Sequence, residues 1–397
     1  MEGIKDKVAI VGMGCTKFGE RWDKGVEDLI VEAAYEAFED AGVGPKDIQA
    51  AWIGTVFSGL SAITLSPLQL QYIPVTRVEN MCATGSEALR AASYAVAAGV
   101  CDIALAVGVE KLKDAGTTGV KGPSVVGDNA DGTSGIGPGY SAPASFAYLA
   151  TRYFHDYKLG PEEGKKLLGK IAVKNHHNGS LNPKAHFQNE LTLEQVINAP
   201  VVAWPLGLFD CCGVSDGASA AVVTRADMAR KFREDPIYIK GLQICVGARQ
   251  GAMRQDYDFV HIEENVLSAK RVYAEAGVRN PRKEISIAEV HDCFTIHEMI
   301  VYEDLGFSPR GRAKEDIEAG TFTLEGELPV NTDGGLKCFG HPLGASGLRM
   351  MYEVYKQLQG KAGPRQIKNP RLGLTHNLGG NAGTGIASCF VVGNEKA

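Results

Sequence analysis

Apolar residues recur every three to four positions over roughly 26–41, and the stretch stops at Ala41-Gly42-Val43. A short apolar run, Ala50 to Val56, follows. The same order returns late in the chain. Helical spacing over about 264–276 stops at Ala276-Gly277-Val278 and leads to the apolar run Ile285 to Val290. Each set predicts an amphipathic helix, a glycine stop and a buried strand.

A second echo is closer. Gly85-Ser86-Glu87-Ala88-Leu89-Arg90 opens a predicted helix reaching about Gly99, and Gly344-Ala345-Ser346-Gly347-Leu348-Arg349 opens one reaching about Gly360. Cys82 stands just before the first and His341 just before the second, at equal distance from the leading glycine. Strand-like segments follow both, Ile103 to Val107 and Leu372 to Thr375. Apolar strands led by a glycine, Gly217 to Val223 and Gly385 to Val392, then close each half. Echoes repeated in one order predict a duplicated α/β unit, divided as 1–230 and 231–397. Between them, about 112–200 reads as an insertion on the first half, rich in glycine, proline and serine from Gly116 to Ser145. With few large apolar residues, that stretch is expected to be mobile on its own. Strands alternating with helices predict mainly parallel, covered sheets. Two facing halves would bring their strand-end turns together, where small-molecule sites form.

At 397 residues, 44% hydrophobic and 22% charged, the chain can build this core twice. A net charge of −6 without a basic block speaks against nucleic acid. Neither a signal peptide nor 18 consecutive apolar residues occurs, so a cytoplasmic protein without a membrane span is expected. Its nine cysteines are then free thiols. Without a CxxC pair, no bound metal is expected in this chain. Gly12-Met13-Gly14 and the glycines at 379–383 fit neither a dinucleotide fingerprint nor a phosphate loop, which sets nucleotide chemistry aside.

Four segments carry candidate chemistry. Cys82, in Asn80-Met81-Cys82-Ala83-Thr84-Gly85-Ser86, precedes a helix whose positive end favours thiolate; the competing reading is a buried core cysteine. His341, in Gly340-His341-Pro342, occupies the matching turn of the second half, so a two-fold between the halves would pair it with Cys82 as base and nucleophile. His291 and Cys293, in His291-Asp292-Cys293-Phe294, end a buried strand on one side of it, with Asp292 expected as a helix N-cap. His376-Asn377-Leu378-Gly379-Gly380 ends another strand, and its glycines would let backbone N–H groups approach an oxyanion. The pairs His176-His177 and Cys211-Cys212 read as incidental.

Together these segments resemble the thiolase superfamily over nearly the whole chain. The Cys82 loop is similar to the nucleophile loop, Gly340 through Gly347 to GHPxGxSG, and 291–294 to the HDCF of the sterol-carrier-protein type. Where main-branch thiolases carry a second cysteine in CxGGG, this chain has His376-Asn377-Leu378-Gly379-Gly380, which passes the second thiol role to Cys293. The resemblance implies the five-layer α-β-α-β-α thiolase fold and no permanent cofactor, with coenzyme A as a substrate. It also implies roles. His341 takes the Cys82 proton, Cys82 is acylated, and Cys293 handles the proton at the α-carbon. His291, through a water, binds the enolate oxygen, while the N–H groups of Cys82, Gly379 and Gly380 hold the oxyanion. Ala185-His186-Phe187, Asp210 to Cys212 and Ser215 to Ala218 look like bacterial and archaeal members of this branch, which often work with a small OB-fold and zinc-ribbon subunit. A homodimer core is also implied. The substrates within that branch include benzoylsuccinyl-CoA and acetoacetyl-CoA. Retro-aldolase lyases built on the same plan are the alternative, although they need no nucleophilic cysteine. Decarboxylating ketoacyl synthases should lack Cys293.

Overall fold

All eight residues of the first strand, β1 (Val8–Cys15), are buried, as expected for a strand covered on both faces. Helix α1 (Val26–Ala41) follows and ends where Gly42 turns left-handed at φ +68°. Then come β2 (Ala50–Gly54), β3 (Val75–Val78), α2 (Thr84–Ala97) and β4 (Ile103–Glu110). The insertion contributes α3 (Ala142–Asp156), α4 (Pro161–Ser180) and a small hairpin, β5 (Val201–Ala203) with β6 (Leu206–Gly207). Strands β7 (Gly217–Arg225) and β8 (Ile237–Val246) lead to α5 (Glu263–Ala276), β9 (Ile287–Glu289) and α6 (Thr295–Asp304). The chain closes with α7 (Leu343–Leu358), β10 (Leu372–Gly379) and β11 (Ile386–Gly393). This computed structural model describes residues 3–59, 63–115 and 141–396. The stretch 116–140, where most of the mobile segment was expected, lies outside them.

The strand order is β3-β2-β4-β7-β1-β8-β11-β10-β9. Read outward from the β1–β8 junction, the two halves repeat one another: β7, β4, β2 on one side match β11, β10, β9 on the other. The junction is brief, Ala9 against Tyr238 and Ile10 against Ile237. Parallel pairing is confined to strands joined by helical crossovers, β2 with β3 and β4, and β9 with β10; the remaining ladders of this sheet run antiparallel. The covered sheets are mixed, as the thiolase-type fold implies: β7 and β11 run antiparallel to both of their neighbours, and β11 follows β10 with no helix between. A fifth strand in the second half shrinks to one bridge, Ala288 to Val330, beside Pro329, which has no N–H to extend a ladder.

Helix α1 covers one outer face on β1 and β7, and α5 covers the other on β8 and β11. Between the sheets α2 and α7 pack on each other, giving five layers, α-β-α-β-α. Their first turns touch backbone to backbone. A Cβ at Gly85 would sit 2.7 Å from the Gly344 carbonyl oxygen, and one at Gly347 only 2.4 Å from the Ser86 nitrogen. Only glycine permits this approach, and it brings the turns bearing Cys82 and His341 together. Among the described residues no helix is long and apolar enough to cross a membrane.

Candidate active site

Cys82 is presented by a turn under strain. Met81, just before it, takes φ +51°, a left-handed conformation that costs a non-glycine residue on the order of 1–3 kcal/mol. Thr84 secures the turn: its hydroxyl accepts from the Asn80 N–H at 2.8 Å and donates to the Met81 carbonyl at 2.5 Å. Burial pushes the Cys82 thiol up to about 12, while the N–H groups of Gly380 and of Cys82 itself pull it down. The thiolate expected from the helix end is thus not the resting form. Burial wins, and Cys82 rests as a thiol that needs a base.

His341 offers that base. Its Nδ1 lies 2.8 Å from Ser346 Oγ, whose one hydroxyl proton goes to the Pro342 carbonyl at 2.9 Å. Ser346 can therefore only accept from the ring, which puts the imidazole proton on Nδ1 and leaves Nε2 bare. Nε2 is buried and has no hydrogen-bond partner, so it does not yet engage Cys82. Burial, and then the Arg349 charge, hold His341 down to about 3, so the ring is neutral.

His291 is set the other way. The Leu378 N–H donates to its Nδ1 at 3.3 Å, which makes Nδ1 the acceptor and puts the proton on Nε2. Its ring stands edge-on to His341, centroids 5.2 Å apart. Burial drives its pKa well below the ordinary value, and the neighbouring His297, His341 and His376 add to this. Two neutral histidines therefore face the same space in opposite tautomers, His341 as acceptor and His291 as donor.

Cys293 is buried, and desolvation pushes it well above the usual thiol range, with Cys212 and Cys82 as the next causes. Cys212 was set aside with Cys211 as incidental, yet its N–H donates to the Cys293 carbonyl at 2.9 Å and it sits beside both thiols. That pairing joins residues far apart in the chain and leaves no local trace. His176 lies elsewhere, bonding the Asn189 carbonyl. Asp292 does not cap the helix that follows it: the N-cap of α6 is Phe294. Its carboxylate instead accepts from the N–H groups of Leu336 (2.6 Å) and Lys337 (3.3 Å), capping the short helix Gly335–Phe339. Behind this, the buried Arg349 of α7 pairs with Asp333 and, at 2.9 Å, with Glu289 of β9.

Gly379 ends β10 against the nucleophile turn, and Gly380 follows it. A Cβ at Gly379 would meet the Asn80 carbonyl oxygen at 2.4 Å, and Gly380, at φ +90°, aims its N–H at Cys82. His297, which the sequence did not single out, lies 5.1 Å from His291 ring to ring. One of its nitrogens faces the His291 carbonyl without closing a well-formed bond. Donor atoms of His291, Cys293 and His297 lie within 4.8 Å of one another, a zinc-type set. That set does not fit a metal, because the Leu378 N–H fixes the proton of His291 on Nε2 and leaves that ring no bare nitrogen. A surface cleft of about 680 Å³, lined by Gly160, Glu163, Lys166 and Glu318, contains none of these residues.

Family models identify the chain. "Thiolase, N-terminal domain" matches residues 8–227, and "Thiolase C-terminal domain-like" matches 246–391. The chain belongs to the thiolase family. It is 39% identical to an acetyl-CoA acetyltransferase of Methanothermobacter thermautotrophicus, over 96% of this chain and 99% of that one. It is 32% identical to the benzoylsuccinyl-CoA thiolase subunit BbsB of Thauera aromatica, over 95% and 96%. Among solved structures it superposes on the Ltp2-ChsH2(DUF35) aldolase with a TM-score of 0.85, at 26% identity over 99% of each chain. This thiolase is accordingly an acyltransferase-type enzyme.

Proposed function

We propose that this thiolase cleaves a 3-oxoacyl-CoA with CoA, or runs the reverse Claisen condensation, through an acyl group on Cys82. The observation that carries this is the opposed pair of tautomers, His341 Nε2 bare and His291 Nε2 protonated, beside the partly exposed Cys82 and the buried Cys293. His341 takes the Cys82 proton, and the sulfur attacks the 3-oxo carbonyl. The N–H groups of Cys82, Gly379 and Gly380 receive the oxyanion, each such donor being worth on the order of 3 kcal/mol. Collapse breaks the bond between the α- and β-carbons. The leaving enolate oxygen is held by His291 through a water, and Cys293 gives its proton to the α-carbon. The incoming CoA thiol then passes its proton to the Cys293 thiolate and attacks the acyl-Cys82. His341 returns its proton to the departing Cys82.

The substrate we infer is an aromatic or medium 3-oxoacyl-CoA such as benzoylsuccinyl-CoA, or acetoacetyl-CoA; the names of the two relatives support that range. The same proposal divides the chain at 1–230 and 231–397, places it in the cytoplasm and makes it a homodimer. A small OB-fold and zinc-ribbon subunit completes it, supported by likeness to the Ltp2-ChsH2(DUF35) aldolase. That likeness also favours the second reading, a retro-aldolase lyase, against which the enclosed Cys82 and its base speak. Cys82→Ser decides between them. It should abolish thiolysis and the mass increase that acyl-CoA produces on this residue. A serine enzyme keeping more than about a tenth of the activity would reject the acyl-Cys82 route.

A further inference from the structure

Glu264 stands in the first turn of α5, buried, behind the loop that runs from Gly379 to Gly385. One carboxylate oxygen accepts the Gly385 N–H at 3.1 Å, and the other accepts the Gln250 side-chain amide at 3.0 Å. The N–H groups of Gly383 and of Glu264 itself also point at it. Every one of these neighbours is a donor, which suits the ionised, acceptor-only carboxylate. There is no slack around it: a Cβ at Gly247 would lie 2.4 Å from its oxygen, and the Gly247 N–H is itself bonded to the Gly385 carbonyl at 2.7 Å. From the other side the Asn381 side-chain amide lies 3.1 Å from the Ser145 hydroxyl oxygen, which is itself held by the Ala142 carbonyl at 2.8 Å. The loop is thus clamped at both ends of the stretch that follows Gly380, whose N–H faces the Cys82 sulfur.

We propose that Glu264 is a positioning residue for the oxyanion loop, fixing its backbone so that the Gly380 N–H stays aimed at the Cys82 sulfur. Glu264 touches neither the sulfur nor the reacting carbons and acts through the loop alone. The proposal rests on the reading of Cys82 as acyl carrier, but its test reads the thiol rather than turnover. The charges facing Cys82 are Glu79 and Glu110, with the Cys212 and Cys293 thiols beside it. Beside Glu264 stands Glu263, which pairs with Arg254 at 2.9 Å. Neither Glu264→Gln nor Gln250→Ala alters any of the groups around Cys82.

The experiment is the pH dependence of Cys82 alkylation by iodoacetamide, followed by peptide mass spectrometry on the full chain and checked for folding by circular dichroism. In Glu264→Gln an amide N–H₂ is set against donors, the loop shifts, and Cys82 loses the N–H that favours its thiolate. The alkylation midpoint should rise, and kcat should fall by roughly ten- to a hundredfold with KM changed little. Gln250→Ala, which removes one donor to Glu264 and leaves the loop sequence intact, should move the midpoint the same way by less. A folded Glu264→Gln protein whose alkylation curve superposes on the wild type overturns the proposal. If Glu264→Gln does not fold, a Gln250→Ala curve superposing on the wild type overturns it instead. An active Cys82→Ser enzyme would sink the acyl-carrier reading and leave the alkylation result standing.

Discussion

Replacing Ser346 by alanine tests the tautomer of His341. The Oγ that accepts the Nδ1 proton at 2.8 Å disappears, and nothing else within the turn replaces it. A buried N–H left without an acceptor costs about 1–3 kcal/mol. Nε2 faces no acceptor either, so the proton loses its preferred nitrogen and the tautomer with Nε2 bare, which must take the Cys82 proton, falls to about half of the ring. The hydroxyl also accepts from the imidazolium that forms, and losing a bond to a charged rather than a neutral donor weakens the base by about 1 kcal/mol, so the two effects together come to roughly tenfold. The rate of Cys82 acylation, followed by rapid quench and protein mass, should fall by that factor, with KM little affected. Ser346→Thr keeps a hydroxyl and should recover most of the rate. Acylation in a folded Ser346→Ala enzyme within about twofold of the wild type would refute the reasoning, because the proton would then be placed by something other than this hydroxyl.

Cys293→Ala should slow the carbon–carbon step by about 10²-fold or more and acyl transfer from CoA to Cys82 by much less, since a CoA thiolate leaves without a proton far more readily than an α-carbanion does. Equal loss of both, in mass and turnover assays run side by side, would remove Cys293 from the proton path. His297→Leu should be nearly neutral for stability at pH 7, because neither ring nitrogen makes a well-formed bond. Burial holds His297 at about 3 in the fold against 6.5 unfolded, so the unfolded chain binds the extra proton between those values. Wild-type stability therefore drops as pH falls below 6.5. The leucine variant should gain on it by up to about 1.4 kcal/mol per pH unit. Urea unfolding at several pH values checks this, and parallel curves would be the contrary result.

The helices and strands of both halves were legible because each is specified by its own residues. The apolar period of 26–41 and the left-handed Gly42 mark α1 without help from the rest of the chain. The Gly85 and Gly344 turns were legible for the same reason, and duplication then paired Cys82 with His341. What stayed hidden depends on contacts between distant segments. Asp292 has the residue type of an N-cap and does cap a helix, but one whose first turn, Leu336 and Lys337, arrives from a later part of the chain. Cys212 looked incidental until its backbone was seen paired with Cys293. Ser346 was quoted as part of a motif, but its part in setting a proton follows only from knowing where its own hydrogen goes. The thiolate expectation failed because a helix end is a local cue, whereas burial is set by everything that surrounds the site.

The unequal ends of the sheet bear on how copies can assemble. At one end β3 is partly exposed and, among the described residues, has a neighbour on one side only. At the other, β9 is fully buried, and the segment with Pro329 lies against it. A sheet with two open ends could add copies head to tail without limit and grow into a filament. With one end sealed, a copy that joins through β3 must offer its own β3, and the pair then has no strand left to extend. On that reading Pro329, which has no N–H to donate to a further ladder, would help to limit such growth to a pair.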